Sequence, residues 1–281
     1  MSAPPRPNRR GLRSTAAVVI ALVALLFGVS APAYAAPPTT QVQKYVALGD
    51  SYAAGQGASA PLDSCLRSAA AYPVLLDAEP RINLLRTAAC SGQTIADVTS
   101  FQLSQLNRGT TLVTLTVGAN DLGVGAVYAV CAPNPSSLEC ASAIATVQQT
   151  LALGVIAQNM TDLLGAIAQR APNAHVVVTD YPIPFVPGLP IPNESVPGQI
   201  TAAVNAATAA LDSQIAGAVG AAYAGGVSVE LASVKSAYDG HQVGTGDPWL
   251  GANPADALTF LYPTAAGQAV YRDAILVALA S

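Results

Sequence analysis

The sequence predicts an α/β protein, a three-layer α/β/α sandwich around a mostly parallel five-stranded sheet. Three observations carry that expectation. Short apolar runs alternate with long Ala-rich stretches of helical length, as in chained βαβ units. The first, third and fourth runs are almost continuously apolar, as parallel strands covered on both faces are. No internal repeat and no second domain interrupts the pattern of the 281 residues.

Residues 45–48 (YVAL) form the first expected strand, and 82–85 (INLL) the second. Residues 111–117, rich in β-branched side chains, form the third; 176–179 (VVVT) the fourth; 227–231 (VSVEL) the fifth. Helices are expected over 142–170, 199–223 and 265–279, which contain few breakers. Two long loops remain, 182–198 with six prolines and 237–258. Loops of that length in a compact domain shape a binding site or move.

The first 35 residues read as an address. Arg6, Arg9, Arg10 and Arg13 give a positive start, residues 16–29 a short apolar run, and Ala33-Tyr34-Ala35 small residues for a signal peptidase. This is the layout of a secretory signal, with cleavage expected after Ala35. The apolar run is shorter than the roughly 20 residues of a spanning helix. Residues 36–43 then form a flexible Pro/Thr-rich lead-in, and 44–281 the domain. Arg9-Arg10 weakly resembles a twin-arginine signal, and the export route stays open.

Charge narrows the partners. Twelve Lys and Arg less the four in the signal leave eight, against 16 Asp and Glu, a net charge of −8 for the mature chain. Such a surface repels phosphate backbones and excludes nucleic acid as a partner. The four cysteines, Cys65, Cys90, Cys131 and Cys140, favour disulfides in an exported chain. Three pairings exist, and the sequence-local pairs Cys65–Cys90 and Cys131–Cys140 are preferred. No Cys-x-x-Cys unit or His cluster suggests a metal, and nothing calls for an organic cofactor. A monomer is expected.

Ligands of open parallel sheets bind beyond the carboxyl ends of the strands. Gly49-Asp50-Ser51-Tyr52 follows strand one, Ala89-Cys90-Ser91-Gly92 follows strand two, and Gly118-Ala119-Asn120-Asp121 follows strand three. A serine, a glycine and an asparagine thus arrive at one edge from three strands. Each motif alone reads as an ordinary turn.

Together they are specific. ALGDSYAAGQGA, TAACSGQTIADV, TLTVGANDLG and YPTAAGQAVYRDAI stand in the order of the four blocks of the GDSL/SGNH hydrolases, which the chain resembles from Tyr45 onward. GHQVGTGDPWLG resembles a loop of the family's secreted actinobacterial esterase and lipase branch. The resemblance implies a flavodoxin-like sheet and an acyl-enzyme mechanism acting on a small-molecule, lipid or glycan ester. It makes Ser51 the nucleophile, with Gly92 and Asn120 as donors to the oxyanion. It also implies the two disulfide pairs preferred above, with Gly244 where a third pair would begin.

The last block departs from the family at its first residue. The resemblance implies a catalytic histidine directly before Pro-Thr-Ala-Ala-Gly, and Tyr262 stands there. Thr259 stands where many members have aspartate. A phenol has a pKa of about 10 against about 6.5 for imidazole, so only about one in a thousand is ionised at pH 7. Weak or absent esterase activity is therefore expected, and a degenerate protein that binds an ester, glycan or wall component is the alternative. Of the two histidines, His175 opens strand four and reads as structural, while His241 in the second long loop is a substitute-base candidate. Trp249 either lines the substrate mouth or anchors its loop. Asn159-Met160-Thr161 and Asn193-Glu194-Ser195 match the glycosylation pattern.

Overall fold

Five short strands, each followed by a turn rather than a hairpin, assemble into the expected parallel sheet. The computed structural model describes residues 41–131, 133–187 and 198–281. The signal, most of the lead-in and Asn193-Glu194-Ser195 lie outside the described residues.

In chain order the elements are β1 (Gln43–Gly49), α1 (Ser51–Ala54), α2 (Tyr72–Asp77), β2 (Ile82–Thr87), β3 (Leu112–Thr116), α3 (Val124–Cys131), α4 (Leu138–Ala152), α5 (Val155–Arg170), β4 (His175–Thr179), α6 (Gly198–Ala224), β5 (Val229–Ala232) and α7 (Ala265–Ala278). The sheet order is β2-β1-β3-β4-β5, with every neighbouring pair parallel. α2 and α7 pack together on one face, and α5 and α6 form the layer on the other. The order reverses between β1 and β3, so their carboxyl ends flank the crevice where such sheets bind ligands. Gly49 pairs with Thr116 at that end, which places Ser51 and Asn120 just beyond the paired residues.

The core lies where the continuous apolar runs predicted it. Tyr45, Val46, Ala47 and Leu48 of β1, Leu112, Val113 and Leu115 of β3, and Val176, Val177 and Val178 of β4 are buried. The sheet's buried hydroxyls pair with each other: Tyr45 Oη with Thr114 Oγ1 at 2.6 Å, and Tyr72 Oη with Thr116 Oγ1 at 2.9 Å. A buried polar group left unpaired would be costly, and these are paired.

The helix expected over 142–170 is two helices. It starts early because Ser137 caps it, its side chain accepting from Cys140 N–H at 3.0 Å. It breaks at Gly154, whose φ of +65° is left-handed, and α4 and α5 meet at 53°. The 237–258 loop is pinned at both ends by backbone bridges, Phe185 to Val243 and Leu250 to Pro263. Among the described residues no single helix is long and apolar enough to cross a membrane. Both disulfides, Cys65–Cys90 and Cys131–Cys140, are formed.

Candidate active site

The chain turns sharply out of β1 because of one glycine. Gly49 has φ of +136°, and a Cβ there would sit 2.2 Å from the Thr116 carbonyl oxygen. With no side chain in the way, Asp50 N–H donates to that same carbonyl at 2.9 Å and ties the β1 and β3 ends together. Asp50 then caps α1, its Oδ1 accepting from Tyr52 N–H at 2.9 Å. Ser51 is the first helical residue, where a backbone N–H has no intrahelical partner.

Asp50 is fully buried and its Oδ2 accepts from Tyr181 Oη at 2.5 Å. Burial pushes its carboxyl up to about 7, with Asp121 adding to the rise and the bonds from Tyr181 and Tyr52 opposing it.

The turn that carries Gly92 is tied to the turn that carries Asn120. Asn120 Nδ2 donates to the Gln93 carbonyl at 2.8 Å, which fixes the amide beside Gly92. An amide nitrogen carries two hydrogens, and this bond uses one. Asp121 accepts from Ile95 N–H at 3.1 Å and holds the same two turns together. Gly92 has φ of +82°, and a Cβ there would meet no protein atom within 4 Å. Its glycine is required by backbone conformation rather than by a crowding neighbour. The Cys65–Cys90 bridge and the Ser91 N–H bond to Cys65 O at 3.1 Å brace this turn from outside.

Tyr262 stands over Ser51. Its phenol lies close enough to the Ser51 and Gln56 side chains for both to act on its ionisation. Burial and then the Asp50 charge raise the phenol above its ordinary range. Ser51 is left only 5 % exposed. The backbone that delivers Tyr262 is held tightly: Leu261 has φ of +65°, its carbonyl accepts from Tyr52 Oη at 2.7 Å, and Gly251 N–H donates to Tyr262 O at 2.9 Å. Left-handed geometry at a leucine is strained and persists only when its surroundings enforce it.

Gln56 is the residue that sequence reasoning missed. Buried between Gly55 and Gly57, its Oε1 accepts from Ser91 Oγ and its Nε2 donates to Leu258 O at 3.1 Å. It links the Ser51 turn, the residue before Gly92 and the Tyr262 loop. A lone polar residue between two glycines was the available signal.

His241 is engaged elsewhere. Its ring stacks on Trp249 with centroids 3.4 Å apart, and Nδ1 bonds to Asp247 O at 2.8 Å. Trp249 also meets Tyr238 edge-on, which is the loop-anchor arrangement. Thr259 Oγ1 donates to Asp256 at 2.8 Å. His175 bonds Ser228 and Glu230 at the amino end of β4, away from the crevice.

A parallel 2-1-3-4-5 sheet with a capped serine after β1 and an asparagine after β3 is the framework of an α/β hydrolase that works at a topological switch point. The GDSL-like lipase/acylhydrolase family model matches residues 47–270, and the chain belongs to that family of carboxylic ester hydrolases. It is 34 % identical to a lipase of Streptomyces rimosus over 94 % of this chain and 95 % of that protein. The extracellular lipase of Streptomyces rimosus, solved by crystallography, superposes with a TM-score of 0.75 at 29 % identity, covering 84 % of this chain and 99 % of that one. Phospholipase A1 of Streptomyces albidoflavus superposes with a TM-score of 0.74 at 30 % identity over the same shares.

Proposed function

We propose that this protein is an exported serine ester hydrolase in which Ser51 is the nucleophile, and that it turns over slowly because Tyr262 occupies the position of the base. The observation that carries this reading is the proximity of the Tyr262 phenol to the Ser51 side chain. In the reaction, the Ser51 Oγ–acyl bond forms as the ester C–O bond breaks, the alcohol leaves with a proton, and water then releases the acid. Ser51 N–H, Gly92 N–H and the second Asn120 amide hydrogen serve the oxyanion. Asp50 braces the turn and shuttles no proton, since both its oxygens are occupied by Tyr52 and Tyr181.

A base must take the serine proton. Burial raises the phenol above its ordinary range, so less of it is in the phenolate form that could take the serine proton. In another serine hydrolase, removing the base costs around 10⁶ in kcat and leaves about 10³–10⁴ over water.

Lipid-like acyl esters are the substrate class that the relatives' names and one cavity support. An uncharged cavity of about 290 Å³ lies between α3, α4 and α6, lined by Val127, Ile144, Val147, Leu151 and Val204 among others. Its α4 wall packs against the turn that carries Asn120. Export is supported by the two disulfides and the extracellular relative, with a signal over residues 1–35 and cleavage after Ala35.

The same proximity of Tyr262 to Ser51 favours a second reading, a protein that binds an ester, glycan or wall component without turnover. A chromogenic short-chain ester assay on the unmodified chain and Ser51→Ala separates the two. Turnover abolished by Ser51→Ala supports the hydrolase. Turnover absent from the unmodified chain, with saturable binding of the ester, supports the binder.

A further inference from the structure

We infer that Tyr181 is the positioning residue that holds the nucleophile turn and the Asn120 turn in mutual register, an inference that rests on the roles proposed for Ser51 and Asn120. The crevice between the β1 and β3 ends is fixed at its floor by the backbone bond from Asp50 N–H to Thr116 O. Above that floor, one side chain spans it. Tyr181 follows β4 by two residues and is 3 % exposed. Its hydroxyl donates to Asp50 Oδ2 at 2.5 Å and accepts from Ala119 N–H at 3.3 Å. Asp50 directly precedes Ser51, and Ala119 directly precedes Asn120. Among the described residues no other side chain bonds to both turns.

Tyr181 is itself held at its backbone and at its ring. Tyr181 N–H donates to Asp212 Oδ1 at 3.0 Å, and Tyr52 meets its ring edge-on with centroids 5.0 Å apart. A phenylalanine would keep the ring packing and lose only the bridge. It would leave Asp50 Oδ2 and the Ala119 N–H without their shared partner, and each turn free to settle separately. Oxyanion stabilisation depends on donors already aimed at the developing charge, and a misplacement of about 1 Å costs about 100-fold. The residue touches no reacting atom in this arrangement. Its effect passes through Asp50 to Ser51 and through Ala119 to Asn120.

The test is the rate at which a fluorophosphonate labels Ser51 in the mature chain, read by intact mass. In that reaction the Ser51 O–P bond forms, the P–F bond breaks, and fluoride and the serine proton pass to solvent. Tyr181→Phe is expected to slow labelling about tenfold or more. In an Asn120→Ala background the same substitution is expected to add little, because the register it maintains no longer serves a donor. Two independent slowing factors that multiply would overturn the inference, since a general loss of packing acts equally in both backgrounds. Should Tyr181→Phe not fold, hydrogen exchange on the unmodified chain decides. The Ala119 amide must then exchange as slowly as the central strands, and exchange at loop rates overturns the bridge. Labelling that is lost in Ser51→Ala yet unaffected by Tyr181→Phe removes this inference alone. Labelling absent even from the unmodified chain removes the nucleophile role and this inference with it.

Discussion

The Tyr262 phenol faces the Ser51 hydroxyl closely enough for the serine to favour its ionised form, while burial and the Asp50 charge oppose ionisation. A cation would pull the phenol toward ionisation, whereas a carboxylate and burial push it the other way. Tyr262→His is therefore expected to raise ester turnover by about 100-fold or more, a part of the roughly 10⁶ that a base supplies. The recovered rate should fall at acid pH with a midpoint near about 6.5. Turnover measured from pH 5 to 9 checks both points. No gain in Tyr262→His would mean that the serine is mispositioned for attack.

Stability is expected to depend on pH through Asp212. This buried carboxyl sits between Tyr181 N–H at 3.0 Å and Lys235 Nζ at 3.8 Å. Burial pushes it up to about 7, Asp180 adds to the rise, and Tyr181 and Lys235 oppose it. An acid whose folded value lies above its unfolded value of about 3.9 binds more protons when folded. Its contribution is complete below about 4 and is lost as pH rises toward about 7, on the order of 4 kcal/mol at most. Asp212→Asn keeps an acceptor for Tyr181 and removes the titration. Urea unfolding at pH 4 and pH 7.5 should show the variant gaining on the unmodified chain by a few kcal/mol. A gap that stays constant across that range would count against a raised Asp212.

Much of this was legible in the chain. The strands were readable because parallel strands buried on both faces are mostly apolar, as 45–48 and 176–178 are. Asn120 could be placed because it follows such a strand directly. The break at Gly154 was not legible, since a glycine in an Ala-rich helical stretch is tolerated as often as it terminates. Tyr181 and Gln56 escaped for a different reason. Their partners, Asp50 and Ala119 for one, Ser91 and Leu258 for the other, are distant in sequence. Local patterns do not encode such pairings.

The Cys65–Cys90 bridge should stabilise the fold and order the Gly92 turn together. It closes a separation of 25 residues, for which chain-entropy reasoning gives about 3 kcal/mol. Replacing both cysteines by serine should lower the unfolding free energy by about that amount and speed hydrogen exchange at Ser91, whose N–H bonds to Cys65 O. Loss of stability with unchanged Ser91 exchange would separate the bridge from the site.

Gln56 offers the sharpest test of the polar hub. It accepts from Ser91 Oγ and donates to Leu258 O, and it lies against Tyr262. Gln56→Ala leaves these groups unpaired in a buried place and opens a small void, and should cost about 2–4 kcal/mol. Gln56→Glu discriminates between shape and donor. When protonated, the acid can still accept from Ser91 and donate to the Leu258 carbonyl. When ionised, it loses the donor and adds a second buried carboxylate to a site that already holds Asp50. Burial raises the new acid, so its folded form holds the proton to higher pH and stability falls as pH rises. Thermal unfolding of Gln56→Glu should therefore match the unmodified chain near pH 4 and fall below it by several degrees near pH 8. Equal deficits at both pH values would mean that the amide fills space without tying the three segments together.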